Sequence, residues 1–240
     1  MIIISWVALY MVGHSTYVSD QLRKMIIERS VEYTGQKISI EEISINPIPI
    51  FIELKGISVE DHEEGQWLKA GRIKIYIDLM DLFIKKISVR RVLIQEADLK
   101  LTKDSMSIMG IVGKGRSGKS DIDLKNIDLR NSRIFYKDGD IKVKGSDVNI
   151  SAYLRDAPEI NFDVGGIDFE SKAISLSSIS TKGRFHVKGR TVTVYSLHLE
   201  SDGSKLDLKG KIYPDTREFN VDASADISVS ELSKMLGLSV

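Results

Sequence analysis

The residues with the clearest chemical potential are Gly113, Gly118, Lys119 and Ser120, in the stretch GKGRSGKS. Their spacing, G-x-x-x-x-G-K-S, is that of a phosphate-binding loop. Such a loop wraps phosphates with glycine backbone N–H groups, and a helix beginning at Lys-Ser directs its dipole at them. The chemistry therefore needs a helix after Ser120. The sequence continues instead as DIDLKNIDLRNSRIFY, with Ile122, Leu124, Ile127 and Leu129 at strand spacing. No helix buries that pattern on one face, and no alternation of strands with long helices follows to supply a parallel sheet. Residues 110–120 read as a flexible Gly/Ser/Lys connector, and no nucleotide is expected at Gly113 to Ser120.

The other chemical candidates are weaker. His14, His62, His186 and His198 are scattered without ligand spacing, so no metal site is expected. His186 and His198 fall at polar-face positions of strands, where a solvated imidazole is the plain expectation. The acidic residues alternate with apolar ones, as on a wetted sheet face, although a carboxylate pair assembled in space stays open. The absence of cysteine excludes disulfides, thiol catalysis and thiolate metal sites. Lys and Arg number 34 and Asp and Glu number 34, so the net charge is zero and offers no basic surface for nucleic acid. No catalytic residue and no cofactor is expected.

What must be positioned, then, is apolar surface. The run from Ile2 to Val12 is broken only by Ser5. It is shorter than the ~20 residues of a bilayer span, and it lacks the basic flank and small-x-small site of a signal peptide. The tail of a longer membrane helix, a shallow anchor and a buried helix all fit it. A helix is expected to follow, with Val18, Leu22, Met25, Ile26 and Tyr33 at helical spacing, Ser15 or Ser19 as cap and Gly35 as stop. From there the period is two. KISIEEISI, IPIFIELKGISV, RIKIYIDL, DIDLKNIDL, DVNISAYL, EINFDV, TVTVYSLHL and FNVDASADI all alternate, with turn signals such as KDGD, SDG and PDTRE between strands. Roughly a dozen strands are expected, more than a typical sheet holds. The endings ELKG, KVKG, HVKG and DLKG suggest a reused hairpin unit. VRRV shifts the alternation by one at Arg90 and Arg91, which a bulge would absorb.

A dozen strands with one apolar face must hide that face. After residue 35 the only helical candidates are MDLF, Met80 to Phe83, and SVSELSKMLGL, Ser228 to Leu238. A sandwich or barrel closes the sheet on itself; an open trough leaves the floor for a ligand that is not protein.

Three blocks carry a resemblance: EYTGQKISIEEISINPIPIFIELKGISVED, AGRIKIYIDLMDLFIKKISVRRVLIQEADLKL, and, from Leu197, LHLESDGSKLDLKGKI. In this spacing the chain resembles the N-terminal part of the AsmA/TamB family of bacterial envelope proteins, which is similar to bridge-like lipid transfer proteins. The resemblance implies a mainly β fold, in which a membrane-proximal helix leads into an elongated, curled antiparallel sheet, an open trough with an apolar inner face. It implies a chain anchored in the inner membrane by its N-terminus, with its body in the periplasm, that binds or carries phospholipid. It also implies an alternative, assembly of outer-membrane proteins through exposed sheet edges. The expected segments are 1–35 (anchor and helix), 36–109 (first sheet segment), 110–120 (connector) and 121–240 (second sheet segment with a short helix). The expected lining residues are Ile50, Ile52, Leu54, Ile73, Ile75, Ile77, Val92, Ile94, Leu99 and Leu101.

Overall fold

A computed structural model describes residues 16–34, 36–47, 49–61, 65–78, 87–102, 122–154, 157–172 and 175–235. The apolar run before residue 15, the MDLF turn and the Gly113 to Ser120 loop lie outside the described residues. The chain is mainly β, with thirteen strands among the described residues, and it divides into two compact units.

The first unit begins with helix α1 (Thr16–Thr34). Its strands are β1 (Lys37–Ser39), β2 (Glu42–Pro47), β3 (Ile50–Asp61), β4 (Gly65–Ile77), β5 (Ile87–Thr102) and β6 (Ile122–Leu124). β3 is long enough to take two partners on one edge: β2 along Ile50 to Lys55 and β1 along Ser58 to Glu60. β4 pairs antiparallel on its other edge and β5 follows, while β6 lies parallel to β5 at Ile87 to Val89. α1 packs on β1 and β2. Its Leu22 and Ile26, one turn apart, are half-buried, and Arg23 Nη1 donates to the Glu41 carbonyl at 3.1 Å. Met25, expected on the packed face, is instead exposed. No described helix is long and apolar enough to cross a membrane.

The alternation in this unit changes step once per strand, and the strands do so together. Apolar residues run Ile50, Ile52, Leu54 and then Ile57, Val59 in β3. They run Leu68, Ala70 and then Ile73, Ile75, Ile77 in β4, and Val92, Ile94 and then Ala97, Leu99 in β5. The paired rows Lys55–Arg72–Gln95 and Ile57–Ala70–Ala97 flank the step, so Gly56, Gly71 and Glu96 lie in one line across the sheet. Gly56 and Glu96 are left-handed, with φ of 58° and 55°. One residue per strand sits at the step, matched one to one, and the left-handed backbone of Gly56 and Glu96 lets the strands change facing without changing partner. The VRRV expectation holds separately: Tyr76 pairs with Arg91 and Ile77 with Val89, leaving Arg90 as the bulged residue.

The second unit is a meander in which each strand pairs with the next: β7 (Asn126–Asp138), β8 (Ile141–Tyr153), β9 (Glu159–Glu170), β10 (Ser175–Lys188), β11 (Thr191–Glu200), β12 (Lys205–Tyr213) and β13 (Glu218–Asp226). It closes with helix α2 (Val229–Met235). Register draws continuous apolar rows across it. One runs Val148, Val164, Thr181, Leu199, Leu206, Ala225; the next runs Ile150, Phe162, Gly183, Leu197, Leu208, Ala223. Phe162 stacks on Phe185 with centroids 5.3 Å apart. The KDGD turn lies between β7 and β8, with Gly139 at φ 56°.

The reused-hairpin expectation fails for three of its four endings. Only HVKG closes a strand, at the β10–β11 turn; Gly56, Gly145 and Gly210 lie inside β3, β8 and β12. The shared motif marks changes of facing or close packing within strands: Gly56 occupies the phase step, and a Cβ on Gly145 would press Val148.

Two substitutions test the phase step. Gly56→Ala forces a Cβ into the left-handed region and against Glu41, and it should destabilise the chain by about 1–2 kcal/mol in urea unfolding. Glu96→Gly relieves the same strain at a smaller entropic cost, so its midpoint should stay level or rise.

Candidate functional site

The predicted lining residues fall into ranked positions rather than one pocket. Ile43, Leu54, Ile73 and Ile94 form one row across β2 to β5; Ile45, Ile52, Ile75 and Val92 form the next. Directly paired side chains share a face, so six of the ten expected residues stand side by side on it. Ile50, opposite Pro47, and Ile77, opposite Val89, extend the patch. Leu99 lies beyond the phase step, in the row Val59, Leu68, Leu99. Leu101 is half-buried near the end of β5, away from the paired rows. Of the ten, Leu54 is buried and the other nine are half-buried. Ile43 and Ile45, absent from the expected set, belong to the same rows. Their alternation was legible, but their pairing with β3 needed register.

The opposite face of these strands carries charge. Glu53 sits between Arg72 at 3.1 Å and Lys74 at 3.5 Å, and Lys55 pairs with Glu42 at 3.1 Å. Phe51 and Tyr76 meet with centroids 5.2 Å apart, and the Lys74 ammonium lies 5.0 Å from the Phe51 ring. This is the wetted face expected from alternation, reinforced by aromatic stems under the cations. Among the described residues the strands of this unit touch their hydrogen-bonded neighbours and α1, and no second sheet layer packs on them.

The second unit holds a cavity that the sequence reading did not anticipate. Leu176, Ile179, Leu199, Leu206 and Ile227 wall a space of about 270 Å³, with Ser175, Ser177, Ser201, Ser204, Asp202, Lys205 and Glu231 around it. It lies where α2 meets the end of the apolar rows. Ser228 caps α2, its Oγ accepting from Glu231 N at 3.2 Å. Ser228 N donates to Ser204 Oγ at 3.0 Å and Ser201 Oγ donates to Glu231 Oε2 at 2.8 Å. Glu231, at the position of a capping-box glutamate, ties the helix to the β11–β12 turn through Ser201. The S-x-x-E spacing was visible in the sequence; its partner turn was not.

Charged groups gather on the other face of β11 and β12. His198 keeps its expected polar-face position, yet it is held rather than merely solvated: Nδ1 lies 2.7 Å from Asp207 Oδ1 and Nε2 lies 3.5 Å from Glu200 Oε2. Lys205 Nζ reaches Glu200 Oε1 at 2.9 Å. That hydrogen bond, with a second from His198, lowers the Glu200 carboxyl below its ordinary value, and the same contact raises Lys205. Among the described residues no group of three or more His, Asp or Glu is arranged to hold a metal ion. Asp128 is a buried carboxylate, but Ser151 Oγ donates to it at 2.6 Å and Arg130 Nη2 at 3.3 Å, a satisfied structural pairing.

A depressed carboxyl stabilises the fold above the ordinary glutamate pKa, near ~4.3, and that contribution is lost as pH falls through the lower folded value. The raised ammonium contributes below the ordinary lysine value, and this is lost as pH rises through the folded one. Both are views of one exposed ion pair, so the effect on stability is small. In an NMR titration the Glu200 carboxyl should inflect below the ordinary range, and Lys205→Met should move it upward.

No family model matches the chain, and no curated protein matches it.

Proposed function

We propose that the chain binds lipid on the apolar face of its sheet and serves as an inner-membrane-anchored periplasmic carrier of phospholipid between membranes. The observation that supports this reading is the pair of rows Ile43–Leu54–Ile73–Ile94 and Ile45–Ile52–Ile75–Val92, largely half-buried and with no second layer packed on them among the described residues. Acyl chains laid along such rows displace water at about 0.8 kcal/mol per buried CH₂. Apolar patches of this kind are kept in proteins that bind something. The chemistry asks for no reacting residue, because a hydrocarbon groove reads length and shape rather than hydrogen bonds. The trough with an apolar inner face, the anchoring N-terminus, the periplasmic location and the AsmA/TamB kinship belong to this proposal, and the strand spacing quoted above is their support.

A second reading, a structural role in assembling outer-membrane proteins, is favoured by one observation. β13 ends the strand order with one edge unpaired among the described residues, and its Phe219 is 76% exposed. Such an edge accepts a client strand by β-augmentation.

The two readings separate on substitution. A photocrosslinker at Ile52 or Ile75 should capture phospholipid in cells, and the purified chain should carry lipid on extraction. Ile75→Asp should abolish both while circular dichroism stays unchanged, and Lys69→Asp, at an exposed position, should leave both intact. Lipid-free protein with no crosslinks, alongside client capture lost on replacing Phe219, would favour the assembly role.

A further inference from the structure

We infer that the space beneath α2 is a binding site for one hydrocarbon tail bearing an uncharged, hydroxyl-containing head, the class of monoacylglycerols and long-chain alcohols. The inference rests on the lipid-binding reading and assigns to it a tail-sized site in the second unit.

The size of the space and its origin both point to a chain. Its volume is about 270 Å³. A dry apolar cavity of ~150 Å³ already takes up benzene, so this one accommodates roughly ten carbons. The floor is built from Leu199 and Leu206, directly paired across β11 and β12, and the walls from Leu176, Ile179 and Ile227. The space exists because β10 leaves step with β9 twice, between Leu176 and Ile179 and again before Thr181. Ser178 is left-handed there, with φ 58°, and its N–H turns to Asp168 Oδ1 at 3.2 Å. The register of β10 is irregular at the point where Leu176 and Ile179 line the space.

The rim decides the head. Serines 175 and 177 offer hydroxyls, beside Ser201 and Ser204, whose hydroxyls tie the turn to α2. The Lys205 ammonium is already held by Glu200 at 2.9 Å, and the Asp202 carboxylate lies on the same rim. A phosphate or carboxylate head would meet the Asp202 carboxylate, whereas a glycerol or alcohol head meets acceptors and hydroxyls it can bond. Size, apolar lining and rim charge therefore select a neutral single-tail amphiphile.

The test titrates the delipidated full chain with monolauroylglycerol below its aggregation threshold, followed by calorimetry and by methyl NMR. Saturable one-to-one binding with shifts at Leu199 and Leu206 is expected. Dodecanoate at pH 8 should bind at least about tenfold more weakly, and Asp202→Asn should narrow that gap. Leu199→Trp and Ile179→Phe, each filling the space, should weaken monolauroylglycerol at least about tenfold. Absence of saturable binding, equal affinity for dodecanoate, or methyl shifts confined to the first unit would overturn the assignment. Phospholipid carried from cells without monolauroylglycerol binding removes this site alone; loss of both removes the lipid-binding reading with it.

Discussion

The structure depends on one constraint: strands that alternate apolar and polar residues create an apolar face in proportion to their number, and the described residues supply little else to cover it. Thirteen strands and two described helices make the imbalance plain. In the first unit α1 lies against β1 and β2, so the rows running on into β4 and β5 stay half-buried. In the second, α2 is seven residues long and meets the end of rows that cross six strands. Among the described residues each helix is short against the face it approaches, and the apolar rows of β4 and β5 stay half-buried.

Alternation this long has a second consequence. A sheet strand that keeps strict period two over a dozen residues has no freedom to bend without turning its apolar set outward. The chain meets this by changing step in neighbouring strands at once, with Gly56, Gly71 and Glu96 in line. In the second unit Asp147 is left-handed opposite Gly165 in the same manner. The steps are local backbone events, but their alignment keeps paired strands in register on both sides of the line. Where alignment fails, as in β10 around Ser178, the register is irregular and Leu176 and Ile179 line a cavity.

The charged face follows from the apolar one. Glu53 with Arg72 and Lys74, and Glu200 with Lys205 and His198, sit on strands whose other side is apolar. The exposed Glu200–Lys205 pair contributes little to stability, whereas Glu53 and Lys74 are partly buried. These groups gather charge on the face opposite the apolar rows. The shifts at Glu200 and Lys205 express their contact with each other, with His198 adding to the first.

By itself the sequence determined the strand-rich class, the run of turns, a bulge at Arg90 and Arg91 and the short helix near the end, because period and turn chemistry are written in neighbouring residues. It also showed that the residues following Ser120 run in a strand pattern, which no phosphate loop can use. Tertiary structure alone decided which rows the apolar residues join. Ile43 and Ile45 lie beside Leu54 and Ile52 through the pairing of β2 with β3, and no local signal carries that register. The same holds for the repeated Lys-Gly endings, which read as strand ends until pairing placed three of them inside strands. The cavity under α2 was beyond reach for the same physical reason: it is made by a mismatch between β9 and β10 and a helix tied to a distant turn, and mismatch is a property of pairs rather than of any one segment.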